Sequence, residues 1–220
     1  MPIVRINGKL VHFAHVPKCA GTAVERYLSD RFGADMLGFI DRSFHRLPGR
    51  RRWNKSSPQH IPRTDFARMF PDGFFDARFA VVRHPVDRLV SVFRYHRDIE
   101  QLIDPETGFQ DWLDGLTEAH RKQPFYLDNH ARPMTEFVPD GAKVFRIEDG
   151  TGPILRWLDK LAGDQKGPRR IGRRNTYDQR LKVDRRDSGP DAQVTPAARA
   201  RIADLFAPDF ERFGYEGGKP

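Results

Sequence analysis

The sequence predicts a three-layer α/β protein in which a central, mainly parallel sheet of about four or five strands lies between helices. Short apolar runs typical of buried strands occur at 10–16, 78–82 and 143–147. A segment whose apolar residues recur with helical spacing follows each run. Strands that alternate with helices form parallel sheets whose faces the helices cover, so this order favours the α/β class.

Length and composition indicate one globular unit. With 220 residues, 38% of them hydrophobic, the chain can bury a sizeable core, and a single domain over 1–220 is expected. One cysteine leaves no disulfide framework and no CxxC metal site, and neither a metal-ligand cluster nor an internal repeat is apparent. No run has the length of a membrane span and the N-terminus lacks a signal-peptide pattern, so a cytoplasmic protein is expected.

The charge of the chain implies anionic partners. Its formal net charge is +8, and most of its 38 basic residues are arginine, which grips phosphate and sulfate with two hydrogen bonds. Nucleic acid, nucleotide and acidic glycan are all compatible with this charge.

The first element is a strand that runs into a turn and a helix. Leu10–Val16 has the composition of a strand, Pro17 ends its ladder because proline has no N–H to donate, and Gly21 permits a tight turn. A helix is predicted from Thr22, since Thr22 and Glu25 have the spacing of a capping box. The apolar face of this helix consists of Val24, Tyr27, Leu28 and Phe32.

This turn is predicted to bind an anion. It aims the N–H groups of 20–23 and the positive end of the helix dipole at one point, and Lys18 adds a full charge at the rim. Cys19, at the helix N-terminus, is a candidate for a lowered pKa. The simpler interpretation is an ordinary strand-to-helix turn with a surface lysine, because such turns are common in α/β domains.

Spacing separates the turn from three known loops. Walker A places its lysine after the second glycine, whereas Lys18 precedes Gly21. A cysteine phosphatase with Cys19 as nucleophile requires arginine at position 25, which is Glu25, and Arg26 comes one place late. The G-x-G-x-x-G pattern of dinucleotide folds is absent. The turn is therefore a lysine-led anion loop of another kind.

A second strand is predicted at Met36–Ile40, followed by an irregular basic loop at 41–57. The run Arg50–Arg52 in this loop is more often a solvated surface than a binding site.

His60 is the candidate for proton transfer. Pro58 and Pro62 flank it and are expected to keep it extended, just before a helix at about 64–70. Histidine titrates near neutral pH, which suits a general base. A lone histidine is nevertheless more often a structural or solvent-facing residue, so its neighbours have to decide.

The clearest strand is Arg78–Val82, which is apolar enough to be buried on both faces. Pro85 suits the first turn of the next helix, and Ser91 falls off its apolar stripe. Arg83 at the strand end and Ser91 are predicted to meet around one phosphate. Nucleotide triphosphatases have an aspartate at such a strand end to hold magnesium, so an arginine there favours anion binding without a metal.

The second half of the chain is predicted to serve the scaffold. His130 and Arg132 lie in the loop 124–138, where no spacing constrains them, and a structural role is preferred for both. Helices are predicted around Trp112–Leu113, at 153–161 and from Thr195, and a strand at Lys143–Ile147.

A mobile basic loop and a polar linker are predicted at 166–193. The part from 166 to 174 is basic and poor in core residues, and 184–193 is polar. We hypothesise that the basic part closes over a bound nucleotide through Arg169, Arg170, Arg173 and Arg174.

Two motifs together resemble a known family. Phe13–Leu28, with H-V-P-K-C-A-G-T within it, resembles the 5′-phosphosulfate loop of sulfotransferases that use 3′-phosphoadenosine 5′-phosphosulfate (PAPS). Val82–Ser91 resembles their 3′-phosphate motif, R-x-P-x-x-R-x-x-S, and 205–215 resembles their C-terminal segment. Gln59-His60 lies where the heparan- and chondroitin-type, family 2 enzymes carry a histidine base.

The resemblance implies a P-loop-like fold and sulfuryl transfer from PAPS to a hydroxyl, on a glycan or a small molecule, with 3′-phosphoadenosine 5′-phosphate (PAP) as product and no metal. Lys18 would stabilise the leaving phosphate and His60 would take the acceptor's proton. The implied donor contacts are Pro17, Lys18, Cys19, Ala20, Gly21, Thr22, Ala23, Arg83 and Ser91.

The chain departs from the family pattern in two places. Cys19-Ala20 replaces a small hydroxyl residue and glycine, and the anchor helix of Golgi members is missing, which suggests a soluble, bacterial-type member.

Two other functions remain open from the sequence. A basic nucleic-acid-binding domain would explain the arginine excess but would not require the lysine-led turn. A metal-dependent, P-loop nucleotide-binding or kinase-like protein would share the fold and would bind ATP with magnesium.

Overall fold

The chain folds into a five-stranded sheet with helices packed against it. A computed structural model describes residues 2–33, 36–38, 44, 51, 55–173, 176–184 and 187–217. The strands are β1 (Pro2–Ile6), β2 (Lys9–Ala14), β3 (Met36–Gly38), β4 (Ala77–Val82) and β5 (Lys143–Arg146). The α-helices described are α1 (Gly21–Phe32), α2 (Arg63–Met69), α3 (Pro85–Arg94), α4 (Phe109–Lys122), α5 (Gly152–Ala162), α6 (Tyr177–Asp184), α7 (Pro196–Leu205) and α8 (Ala207–Phe213).

The sheet is mainly parallel, as predicted. Its strand order is β3-β1-β2-β4-β5, and β2, β4 and β5 pair in parallel. Strand β1 alone runs the other way, because it pairs antiparallel with both β2 and β3. Ala14 is in register with Ala80, and Val82 with Arg146, so β2, β4 and β5 end at the same edge of the sheet.

Strand β1 was not among the predicted elements. It forms a hairpin with β2 through Asn7 and Gly8, whose φ angles are 48° and 78°. An Asn-Gly pair with positive φ at both residues is typical of a two-residue hairpin turn, so the signal was present in the sequence. The predicted strand Leu10–Val16 is β2, which begins and ends earlier, and the predicted residues 39–40 of β3 lie outside the described part of the chain.

Most helices agree with their sequence patterns. The segment around Trp112 is longer than the short helix predicted, because Phe109, Trp112, Leu113 and Leu116 continue one buried face through 14 residues. Helix α6 was not predicted and buries no side chain. The basic loop 41–57, with Arg50–Arg52, falls largely on residues that are not described. No helix in the described part of the chain is long and apolar enough to cross a membrane.

Alternate residues of the central strands pack against different layers. Phe13 and Phe79 contact the apolar side chains of α1 and α5, including Leu28 and Leu158. Ala14, Ala80 and Val82 face the other way, against Met134 and Phe213. A third cluster joins α3, α4 and α7 through Leu89, Leu113 and Ile202. The carboxyl ends of β2 and β4 therefore lie between the layer of α1 and α5 and the layer that contains Met134 and Phe213.

The core at β4 predicts a test of this packing. Phe79 is fully buried and its ring lies 4.8 Å from that of Phe13 and 5.0 Å from that of Trp157. We expect Phe79→Ala to lower the free energy of unfolding by about 3–5 kcal/mol, because the cavity forfeits these contacts. Chemical denaturation measures the loss. Phe74, 46% exposed, is the matched control, and an equal loss on Phe74→Ala would contradict the packing described.

Candidate active site

The turn between β2 and α1 has left-handed backbone at Lys18 and Ala20, with φ of 63° and 62°. Within the described residues, the N–H groups of Ala20, Gly21 and Thr22 have no protein acceptor, whereas that of Ala23 donates to the Ala20 carbonyl at 3.0 Å. Three N–H groups at the positive end of α1 are therefore available to an anion, one fewer than predicted.

Gly21 is needed for a reason other than turn geometry. It is the first residue of α1 and its φ is not positive, so the predicted role in a tight turn is wrong. A Cβ built on Gly21 would lie 2.0 Å from Nε2 of His15. The imidazole of His15 therefore occupies the place of a side chain at the start of α1.

The predicted capping box between Thr22 and Glu25 is not formed. Helix α1 begins at Gly21, and its N-cap is Ala20, which has no side-chain acceptor. Glu25 instead places Oε1 2.6 Å from Nδ1 of His15, and both side chains are buried. Burial opposes ionisation of this carboxyl, but the adjacent His15 outweighs it and lowers the pKa of Glu25.

Lys18 presents an amine whose charge responds to its surroundings. Its Nζ lies 3.8 Å from the centre of the Tyr95 ring, on a π-helical turn (Tyr95–Ile99) that continues α3. Burial, with smaller contributions from Arg83 and Arg180, lowers the pKa of Lys18 to about 7. A bound anion would restore the charge, because it favours the protonated amine.

Arg83 follows β4 directly and lies at the sheet edge where β2 also ends. It has no carboxylate partner among the described residues, and its charge reaches Lys18 strongly enough to lower the pKa of that amine. Ser91 lies on α3 and is partly exposed. Arg180 on α6 also acts on Lys18, so a third cation faces the turn from a helix that was not predicted.

Cys19 is not a reactive thiol. Its side chain is 1% exposed and packs with Met134, with 3.8 Å between Sγ and Sδ. Burial raises the pKa of Cys19 to about 12, so the suggestion of a lowered pKa is wrong. Pro17 is buried as well. Pro17 has no N–H and the N–H of Cys19 donates to the Val16 carbonyl at 3.4 Å, so neither residue offers a free donor to an anion.

His60 is held by a carboxylate. It is the last residue of a 3₁₀ turn (Pro58–His60), so the predicted extended conformation is wrong: Pro62 restricts the residue before it, Ile61, rather than His60. Nδ1 of His60 lies 2.7 Å from Oδ2 of Asp128 and 3.0 Å from Oγ of Ser57. Burial lowers the pKa of His60, against the opposing effect of Asp128, and the neutral ring is the form a general base requires.

Asp128 reaches His60 from a strained loop. Leu127, Asp128 and Asn129 have φ of 50°, 54° and 66°, three left-handed residues in a row without glycine. Such conformations cost on the order of 1–3 kcal/mol each and persist where other contacts hold them. The backbone N–H and the hydroxyl of Ser57 donate to the two carboxylate oxygens of Asp128 at 2.6 and 2.7 Å. Burial opposes ionisation, but His60 and Ser57 lower the pKa of Asp128 to about 2.

Four buried histidines line one side of the site, which we call the histidine cluster: His15, His60, His96 and His130. The rings of His15 and His60 lie 5.2 Å apart, and those of His60 and His130 4.5 Å apart. Nδ1 of His130 lies 2.5 Å from Nε2 of His96. The ring of His130 therefore packs against the candidate base, and its structural role stays a prediction.

The fold brings to the site several residues that the sequence did not single out. His15 belongs to the H-V-P-K-C-A-G-T motif. Tyr95 and His96 reach the site because α3 continues into a π-helical turn, and such turns are frequent at functional sites. No local signal marks Asp128, or the effect of Arg180 on Lys18, since the residues that meet there lie far apart in the sequence.

The basic segment 166–173 is anchored away from this turn. Arg169 pairs with Asp159 of α5 at 2.9 Å, and Arg31 at the end of α1 binds the same carboxylate at 2.5 Å. Ile171 is buried against the core. Arg31 is in the last turn of α1, so Arg169 lies at the end of α1 opposite to the one that follows the Lys18 turn. Closure of this segment over a nucleotide stays a prediction, and Arg174 lies outside the described residues.

The fold and the site define an α/β protein with a cationic, lysine-bearing turn near a buried histidine that a carboxylate holds. The sequence model of a protein family, the sulfotransferase family, matches residues 5–216, which include both motifs. The chain therefore belongs to the sulfotransferase family and is an enzyme of sulfuryl transfer. No curated protein and no solved structure gave a significant match.

Asp128 is expected to position His60 for this reaction. We expect Asp128→Asn to slow transfer about a hundredfold, the scale of a general-base contribution, because the amide no longer fixes the proton on Nδ1. Asp128 raises the pKa of His60, so its loss lowers that pKa further and moves the acid limb of kcat/KM to lower pH. The pH–rate profile measures both effects. Glu118→Gln, at an exposed carboxylate, is the control, and an unmoved acid limb would leave Asp128 a purely structural role.

Proposed function

We propose that the chain transfers a sulfuryl group from PAPS to an acceptor hydroxyl, in a single domain over 1–220, with a carbohydrate as the favoured acceptor. The observation that carries this proposal is the parallel register of β2 and β4, which brings the Lys18 turn and Arg83 to one edge of the sheet. A donor with anionic groups at both ends matches two cationic positions at that edge.

The 5′-phosphosulfate is assigned to the turn. The N–H groups of Ala20, Gly21 and Thr22 would bind its oxygens, with the exposed hydroxyl of Thr22 beside them. Lys18 would stabilise the charge that develops on the leaving phosphate, which is the largest electrostatic demand of the step. Cys19 and Ala20 in place of a hydroxyl residue and glycine leave this assignment intact, since the contacts come from the backbone.

The 3′-phosphate is assigned to Arg83 and Ser91. Arg83 supplies a guanidinium without a carboxylate partner in the described structure, and Ser91 offers a partly exposed hydroxyl on the helix that follows. Arg180, whose charge also acts on Lys18, would place a third positive charge near the bound donor. Cationic side chains thus meet the donor's charge, and the proposal assigns no metal to the transfer.

The transfer itself is an in-line displacement at sulfur. The acceptor oxygen forms a bond to sulfur while the bond between sulfur and the 5′-phosphate oxygen breaks, and PAP leaves. Because Nδ1 of His60 is engaged by Asp128, its Nε2 is the nitrogen that takes the acceptor's proton. The formal net charge of +8 supports an anionic glycan as the acceptor.

The donor assignment is tested by calorimetry with PAP, ADP and ATP. We expect PAP to bind without magnesium and at least about tenfold more tightly than ADP, because a hydrogen bond to a charged group contributes about 1.5–3 kcal/mol. Arg83→Met should remove that preference, and Arg121→Met, at an exposed arginine of α4, should keep it. Magnesium-dependent binding of ATP without binding of PAP would instead favour the kinase-like alternative. Labelled sulfate transfer to a panel of hydroxyl compounds then identifies the acceptor.

The lowered pKa of Lys18 predicts that PAP binding takes up a proton. At pH 8 the amine, with a pKa of about 7, is mostly neutral in the free enzyme, and the bound anion raises that pKa. Binding at pH 8 should therefore take up close to one proton. At pH 6 the uptake by Lys18 should be much smaller, because the amine is already mostly protonated. The enthalpy of binding in two buffers of different ionisation enthalpy measures the uptake. Lys18→Arg should bind PAP without it, and an unchanged uptake in Lys18→Arg would assign the proton to another group.

A further inference from the structure

Three metal-ligating side chains converge inside the histidine cluster. His60, Asp128 and His130 each offer one ligand atom, and these atoms lie within 4.8 Å of one another. The sequence indicated no metal cluster, because one of these residues lies almost seventy positions from the other two. Two histidines and one carboxylate form a ligand set that transition ions prefer, whereas magnesium prefers oxygen ligands alone.

The three ligands already carry the charges that metal binding requires, and only the proton on Nδ1 of His60, which faces Asp128, has to move to Nε2. Burial lowers the pKa of His60 and lowers that of His130 well below the usual value, so both rings keep a lone pair at neutral pH. Asp128 is ionised, since its pKa is about 2. An ion therefore displaces few protons when it binds.

Neighbouring groups orient these ligands. Nδ1 of His130 is engaged with Nε2 of His96, which leaves Nε2 of His130 for a metal. Ser57 holds Asp128 through its backbone N–H and its hydroxyl, at one carboxylate oxygen each. A metal-bound histidine whose second nitrogen has a partner is the usual arrangement in metal sites.

The backbones of the ligands are held as well. The amide of Asn129 donates to the carbonyl of His60 at 2.9 Å, and the buried guanidinium of Arg88 donates to the carbonyl of His130 at 2.9 Å. The segments that carry His60, Asp128 and His130 are therefore tied to each other and to α3. These contacts hold the segments that carry the ligands near one another before an ion enters.

The spacing suits zinc after a small closure. Bonds of about 2.0–2.2 Å place tetrahedral ligands about 3.3–3.5 Å apart, so atoms now within 4.8 Å approach by at most about 1.5 Å. Three protein ligands leave a fourth position for water. Charges of both signs act on these ligands: Asp128 raises the pKa of His60, Lys18 lowers that of His130, and His60 in turn lowers the pKa of Glu25.

We propose that Zn²⁺, or another divalent transition ion with the same ligand preference, binds to His60, Asp128 and His130 and inhibits transfer. An ion on Nδ1 of His60, the nitrogen that faces Asp128, would move the proton of the neutral ring to Nε2, which then cannot receive the acceptor's proton. The inhibition rests on the proposed role of His60, whereas the binding does not.

Cobalt(II) and Zn²⁺ titrations test the binding without any activity assay. We expect one equivalent of Co²⁺ to give the visible absorption of a four-coordinate ion, which Zn²⁺ abolishes, and a chromogenic chelator to report the Zn²⁺ affinity. His130→Gln should weaken binding at least about tenfold, through the loss of one ligand. His120→Gln, at a partly exposed histidine of α4, should leave it unchanged. Thermal unfolding of both variants verifies that they fold, and Asp128→Asn provides a second ligand variant if His130→Gln does not.

The outcomes separate the site from the proposed function. Absence of stoichiometric binding, or binding of equal strength in a folded ligand variant, would overturn the metal site. Binding at these ligands without inhibition would overturn the regulatory part of the inference. Failure of PAP to bind would refute the proposed function and leave the Co²⁺ and Zn²⁺ results to stand alone.

Discussion

Parallel pairing of β2 with β4 is the interaction on which the rest of the site depends. Its register sets Ala14 against Ala80, so the turn after β2 and the residue after β4 leave the sheet at one edge. Lys18 and Arg83 are thereby close enough for the charge of one to lower the pKa of the other. A slip of one residue would turn the core side chains of β2 to the opposite face, so the same contacts that bury Phe13 and Phe79 fix the distance between the two cations.

Burial then sets the chemical state of each group at that edge. The same desolvation lowers the pKa of Lys18, His60 and His130 and raises that of Cys19. It makes the lysine responsive to an incoming anion, because the amine is easily neutralised when no anion is present. It keeps the histidines neutral, which suits proton acceptance, and it keeps the thiol inert beside them.

The part of this arrangement that could be predicted from the sequence is the part that rests on local signals. Apolar runs, Pro17 and Pro85 located β2, β4 and the helices after them, and the order of these elements indicated a mainly parallel sheet. Local signals also misled, since the spacing of Thr22 and Glu25 suits a capping box, yet the buried His15 competes for the carboxylate and wins. Tertiary pairing of a buried ionised group overrides a cap of about 1 kcal/mol at a helix end.

Asp128 shows why the remainder could not be predicted. A Leu-Asp-Asn triplet has no sequence signature for three successive left-handed residues, and leucine in that conformation is unfavourable by itself. The conformation persists because the contacts of Asp128 with Ser57 and His60, and of Asn129 with the His60 carbonyl, outweigh its cost. Each of those partners lies about seventy residues away, so the strain exists only in the folded chain. Backbone strain of this kind is common at functional sites, so the contacts that maintain it support His60 as the general base, a role that the sequence alone left undecided.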